Sequence, residues 1–120
     1  MTLIKVLKGK IHGATVTDAN VEYEGSITLD SVLMEAAGIS GYEAVSVWNM
    51  TQGTRLETYA IPGPPGSGTV CLNGAAAIHN RKGDRVIVAA FAYMTQEEHR
   101  FFKPKITFVD ADNRLVERKE

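Results

Sequence analysis

The 120-residue sequence predicts a mainly β fold, a closed or nearly closed β-barrel with one or two short helices, built as a single domain over residues 1–120. Three observations carry that expectation. Seven short segments are rich in β-branched and aromatic residues, which suit a pleated, half-buried surface. Only two segments read as helices. No repeat, low-complexity tract or linker divides the chain, so the strands share one core, and closing the sheet is how many short strands hide their edges.

In chain order, residues 3–11 and 14–23 are predicted strands. A helix is expected over residues 30–37: Asp30 can cap its N-terminus, Leu33, Ala36 and Ala37 share one side, and Gly38 stands at the usual C′ position. Strands follow at 43–50, 55–61, 69–72 and 85–93. Residues 95–100 form a second helix, opened by the capping-box pair Thr95 and Glu98. A last strand is expected at 105–109, a turn at 110–113 and a frayed tail at 117–120.

Composition excludes several classes of function. With 44% hydrophobic and 22% charged residues the chain is rich enough in apolar groups to fold. A net charge of −1 leaves no electrostatic footprint for nucleic acid or an anionic membrane, so neither is expected as a partner. The longest apolar run, VIVAAFAYM at 86–94, is about half of what a membrane helix needs. Cys71 is the single cysteine, which forbids an intrachain disulfide and fits a reducing compartment. The N-terminus shows no cleavage signature, and a cytoplasmic location is expected. Cys71 itself reads as a small buried hydrophobe. His79 and His99 read as surface or capping residues, and with His12 they are too scattered to form a metal site. Asp110 and Asp112 begin like a calcium loop, but Leu115 occupies the obligatory glycine position, so no metal is expected.

Tyr23-Glu24-Gly25-Ser26 reads on its own as a strand ending in a Gly-Ser turn or as an internal nucleophile. A serine hydroxyl sits beside the carbonyl of the residue before it, and attacker and target in one chain need no encounter. Glycine at that position makes an unusual backbone shape cheap. Around this pair stand Gly9-Lys10-Ile11-His12, Trp48-Asn49, Gly53-Thr54-Arg55, Thr58-Tyr59-Ala60-Ile61 and Asn73-Gly74-Ala75-Ala76-Ala77.

This ordered set, from about residue 7 to about residue 104, resembles the bacterial pyruvoyl-dependent aspartate 1-decarboxylases. The resemblance implies a double-psi β-barrel and a homotetramer with active sites at subunit interfaces. It implies self-cleavage at Gly25-Ser26 into a β chain of residues 1–25 and an α chain of residues 26–120. The Ser26 hydroxyl attacks the Gly25 carbonyl, and residue 26 ends as a covalently bound pyruvoyl group. That ketone forms a Schiff base with L-aspartate and accepts the electrons left when CO₂ departs, as pyridoxal phosphate does elsewhere. The product is β-alanine, used in pantothenate and coenzyme A synthesis. No pyridoxal phosphate site is expected, because the chain is short and no phosphate cup beside a lysine is evident.

By the same resemblance, Tyr59 donates the proton that replaces CO₂, since a phenol with a pKa near ~10 is protonated at neutral pH. Thr58 assists self-processing near the Gly25 carbonyl. Arg55 and Lys10 bind substrate carboxylates, with Arg55 favoured for the side-chain carboxylate because a clamp on the departing one would oppose its loss. Asn73, Gly74, Ala75 and Ala76 line the substrate and cofactor with backbone and amide groups, while His12, Tyr23 and Trp48 are candidates for either site wall or core. Whether maturation needs a helper protein is left open.

Two other readings compete. Gly63-Pro64-Pro65-Gly66-Ser67-Gly68 fits the first six positions of a nucleotide-binding P-loop, but Thr69 replaces the lysine, Val70 replaces the serine or threonine, and a strand follows instead of a helix. The segment is therefore expected to be a stiff surface loop. A non-catalytic β-barrel used for binding would leave Ser26 intact and give Lys10, Arg55 and Tyr59 no common purpose. Two departures from the family pattern stand out: Ile78 where some relatives carry histidine, and the Pro/Gly-rich 62–68 loop.

Overall fold

The computed structural model describes residues 1–117, so the expected frayed tail falls outside the described residues except for Glu117. The strands are β1 (Ile4–Thr15), β2 (Asp18–Asn20), β3 (Ser26–Asp30), β4 (Ala44–Asn49), β5 (Arg55–Gly63), β6 (Val70–Asn73), β7 (Arg85–Met94), β8 (Lys105–Val109) and β9 (Leu115–Val116). The helices are α1 (Ser31–Ala37), α2 (Gln96–Arg100) and a 3₁₀ helix over Gly74–His79. All strands join one sheet in the order β2-β6-β3-β5-β4-β7-β1-β8-β9. The pairs β1–β8, β2–β6 and β3–β5 are parallel, and the rest antiparallel. This mainly β sheet wraps a single core, consistent with a double-psi β-barrel.

Alternation explains the core. Ile11, Ile27, Leu29, Val45, Val47, Leu72, Val86 and Val88 point inward from five strands and are buried in one cluster. β1 pairs with β7 almost end to end, with register shifts between Leu7 and Gly9 and between His12 and Ala14. Such irregularities bend and twist a strand, which a rolled sheet needs. Gly9 also touches α1 closely: a Cβ there would run into the carbonyl oxygen of Ala37.

Several predicted elements changed. The expected strand at 14–23 does not form. β1 continues through Thr15 and β2 keeps only Asp18–Asn20. The cause is local: Asp18 Oδ1 accepts from Ala19 N and Asn20 Oδ1 accepts from Glu22 N, so side chains draw the backbone into a turn. Strands β3 and β9 and the 3₁₀ helix were not expected. Both helices stand as read, with α1 capped by Asp30 and by Gly38 in the left-handed conformation, and α2 by the Thr95–Glu98 box.

The P-loop-like segment has a different occupant. Gly66 N and Gly68 N donate to the Asp30 carboxylate at 3.0 and 2.9 Å, and Val32 N donates to it at 2.9 Å. The anion in this loop is the chain's own side chain, and the loop leads into β6. Burial pushes the Asp30 pKa up, but the N–H donors of Gly68, Val32 and Gly66, with Arg114 nearby, outweigh it and hold the carboxyl below its ordinary range. Among the described residues no helix is long and apolar enough to cross a membrane.

Candidate active site

Ser26 opens β3, and its position follows from pairing on both sides. In the antiparallel pair with β6, Ser26 stands opposite Asn73. In the parallel pair with β5, Ile27 stands beside Ala60, and continuing that register one and two residues back points Ser26 toward Tyr59 and Gly25 toward Thr58. Alternation then puts Ser26, Thr28, Tyr59, Cys71 and Asn73 on one face, opposite the core face of Ile27, Ala60 and Leu72.

Ser26 is 5% exposed while Gly25 is exposed, so the bond between them crosses from solvent into the protein. Asn73 Nδ2 donates to Ser26 Oγ and to Thr28 Oγ1, each at 3.1 Å. Gly74 has φ +65°, and a Cβ on it would lie 2.5 Å from Tyr23 O, 2.6 Å from Gly25 N and 2.7 Å from Gly25 Cα. The freedom expected of Gly25 is therefore found at Gly74. Gly25 is not among the residues with positive φ, and a Cβ there would meet nothing within 4 Å. A cleft of about 330 Å³ opens beside Gly25 and is lined by Thr58, Ala75 and Ala76, with Glu57 and His79 at its wall.

The structure thus gathers Gly25, Ser26, Thr58, Tyr59, Asn73, Gly74, Ala75 and Ala76. The Tyr59 ring is half-buried and stacks on Tyr42 with centroids 6.0 Å apart. The cations lie elsewhere on the chain. Lys10 lines a cleft of about 670 Å³ with Ile106, Phe108, Leu115 and Val116. His12, two residues along β1, packs its ring against Phe108 at 5.5 Å. Arg55 is exposed and lays its guanidinium over Trp48, 4.8 Å from the ring centre, while Trp48 leans on Phe91. Tyr23 is 67% exposed and forms no part of the core.

Sequence reasoning missed two supports. Cys71 is half-buried, and it is more than a hydrophobe: its thiol donates to Asn73 Oδ1 at 3.3 Å. Burial, with Asp18 nearby, pushes its pKa up, so it stays protonated at neutral pH. The spacing of two on one strand was the available signal. A buried knot of Asn49, Asn80 and Asp84 holds the 3₁₀ helix. Asn49 Nδ2 donates to Asn80 Oδ1 and Asp84 Oδ2 at 2.9 Å, and Asn80 Nδ2 donates to Ala76 O at 2.8 Å. Burial alone would raise the Asp84 pKa, but donors from Arg81 N, Asn49 and Gln52 hold it below its ordinary range. Among the described residues no group of three or more His, Cys, Asp or Glu side chains is placed to hold a metal ion.

The family model for aspartate decarboxylase matches residues 1–116. The chain belongs to the aspartate decarboxylase family. The aspartate 1-decarboxylase of Caldicellulosiruptor saccharolyticus is 57% identical over 114 residues, 95% of this chain and 89% of that protein. That of Myxococcus xanthus is 56% identical over 111 residues, 92% of this chain and 85% of its own. That of Carboxydothermus hydrogenoformans is 52% identical over 117 residues, 98% and 92% respectively. The aspartate decarboxylase match spans every residue discussed as a site candidate, from Lys10 to Ala76.

Proposed function

We propose that this chain is an aspartate 1-decarboxylase that converts L-aspartate to β-alanine and CO₂ on a pyruvoyl group made from Ser26. The observation that carries this reading is the Gly25–Ser26 junction in a member of this family. There a buried serine hydroxyl, held by Asn73, follows an exposed glycine whose backbone is pressed against Gly74.

Maturation runs in three balanced steps. Ser26 Oγ bonds to the Gly25 carbonyl carbon, the Gly25–Ser26 C–N bond breaks, and the hydroxyl proton ends on the residue 26 nitrogen, leaving an ester. Water then takes the Cα proton of residue 26, and the Cβ–Oγ bond breaks with its electron pair on Oγ, which leaves as the carboxylate of Gly25. Last, water replaces the nitrogen of the resulting dehydroalanine, ammonia departs, and a pyruvoyl group remains. Thr58, beside Gly25 in the cleft, carries the hydroxyl suited to the developing oxyanion.

The residues present fit that group. Ser26 is shielded from bulk water, the face around it carries amide and hydroxyl groups, and Gly74 and Ala75 leave room for close approach. A pyruvoyl group at residue 26 supplies the electron sink that loss of CO₂ requires. Tyr59, beside Ser26 in the register, holds on Oη the proton that takes the place of CO₂. Arg55 binds the side-chain carboxylate of aspartate through its planar fork, and Lys10 adds the second positive charge for a substrate with two carboxylates. In a single chain both cations stand apart from Ser26. A neighbouring subunit of a homotetramer supplies them, which makes the active site an interface. A cytoplasmic location suits this reading, because a lone thiol such as Cys71 stays reduced there.

Intact-mass analysis of matured protein tests the reading. The expected result is two pieces, residues 1–25 and residues 26–120, the larger starting with a keto acyl group, with Ser26→Ala uncut and inactive. β-Alanine formation by Ser26→Ala, or full activity with an unmodified serine at 26, would overturn it.

A further inference from the structure

We propose that Cys71 is a positioning residue for maturation: its thiol orients the Asn73 amide so that the nitrogen, not the oxygen, faces Ser26. The inference rests on the self-cleavage reading above. The two ends of an asparagine amide have nearly the same shape and opposite hydrogen-bonding character. At Asn73 the nitrogen end faces two hydroxyls, Ser26 Oγ and Thr28 Oγ1, both at 3.1 Å. Hydroxyls both donate and accept, so these two neighbours alone tolerate either orientation.

The choice is made at the other end. Cys71 Sγ donates to Asn73 Oδ1 at 3.3 Å. A thiol donates one proton and accepts poorly, so a reversed amide would turn its NH₂ toward a poor acceptor. Asn73 and Ser26 are both buried, at 8% and 5% exposure, so water does not replace a lost partner. The raised thiol pKa keeps the donor in place at neutral pH.

Orientation matters most when Oγ becomes a leaving group. In the elimination step Oγ takes the electron pair of the Cβ–Oγ bond and departs as a carboxylate oxygen. An N–H aimed at Oγ stabilises that charge, and a carbonyl oxygen in its place repels it. The amide nitrogen therefore acts on the second step, and Cys71 acts through Asn73 without touching the reacting atoms.

Three substitutions test this. Cys71→Ser keeps a donor, Cys71→Ala removes it, and Cys71→Val removes it while filling the space. Fresh precursor of each is followed by intact mass, with melting temperature as the control for folding and hydroxylamine as a trap for the ester at Gly25–Ser26. Cys71→Ser, whose hydroxyl can donate or accept, should hold the amide less strictly and cleave at a rate between those of wild type and Cys71→Ala. Cys71→Ala and Cys71→Val should cleave at least roughly tenfold more slowly, melt normally, and accumulate hydroxylamine-sensitive ester because elimination is the slowed step. Wild-type cleavage in Cys71→Ala, a Cys71→Ser variant as slow as Cys71→Ala, or slow variants without trapped ester would each overturn the proposal. If wild type itself is active and never cut, the self-cleavage reading fails and takes this inference with it. If wild type is cut and Cys71→Ala keeps pace, the inference alone falls.

Discussion

A methyl group added at residue 74 disturbs the proposed cleavage site without touching a reacting atom. Gly74 has φ +65°, where an alanine costs about 1–2 kcal/mol. Its new Cβ would lie 2.5 Å from Tyr23 O, whereas ordinary contact begins at 3.4 Å, so something must give by about 0.9 Å. The 3₁₀ helix carrying Gly74 is fixed from behind by Asn80 and Asn49, while Tyr23, Glu24 and Gly25 are exposed. The 23–25 segment is therefore what moves. A misplacement near 1 Å slows reacting groups by about a hundredfold. The expected phenotype of Gly74→Ala is self-cleavage slowed by about two orders of magnitude with stability reduced by only about 1–2 kcal/mol. Intact-mass time courses give the first quantity and urea unfolding of the uncut form gives the second. Cleavage at the wild-type rate in a folded variant would refute the reasoning. So would a stability loss beyond roughly 4 kcal/mol, which would mean that the core and not the exposed segment yields.

Three further outcomes follow from the structure. Asp30→Ala leaves one helix-cap donor and two loop donors without their acceptor, a loss of about 3–5 kcal/mol in urea unfolding; a loss under ~1 kcal/mol would mean that water replaces the carboxylate. Asp30 and Asp84 both titrate below their ordinary range when folded, so the unfolded chain binds more protons in acid. Their stabilisation is complete above the unfolded carboxylate pKa of ~3.9 and disappears as pH falls through the lower folded values, so the urea midpoint should decline below about pH 4 and Asp30→Ala should flatten that decline. Tyr59→Phe should cleave itself normally and lose at least about a hundredfold in β-alanine formation, because only the proton donor is gone. Normal turnover would remove Tyr59 from the reaction.

What the sequence revealed depended on how local the signal was. β4 and β7 were legible because Val45 and Val47, or Val86 and Val88, alternate into the core over several residues. β3 was overlooked although Ile27 and Leu29 alternate in the same way, because it is short and lies between a Gly-Ser pair and a helix cap. The strand expected at 14–23 failed for the opposite reason: β-branched residues predict extension, but Asp18 and Asn20 bind their own backbone. At the site, the residues around Gly25–Ser26 were legible because three adjacent strands bring them together. The separation of Lys10 and Arg55 from that cluster was not, since no local pattern in a strand records how far apart two strands lie in the folded sheet. Cys71 was misjudged because its role is a single hydrogen bond to a side chain two residues away.

The apolar core alone would not hold such a site. Apolar packing is non-directional and tolerates small slides, while hydrogen bonds fail when geometry drifts. The segments around Gly25 and Ser26 are fixed by buried polar side chains: Asp30 pins the 63–68 loop, Asn49 and Asn80 pin the 3₁₀ helix, and Asn113 bonds the Thr15 backbone at 2.8 Å in both directions and Gly68 O at 2.8 Å. Asn73 belongs to this set but differs in its target, because it spends its donors on the side chains of Ser26 and Thr28 and not on a loop backbone. A barrel held this way can keep one exposed peptide bond beside a fixed hydroxyl for as long as a slow reaction needs, which an apolar cluster of the same size would not ensure.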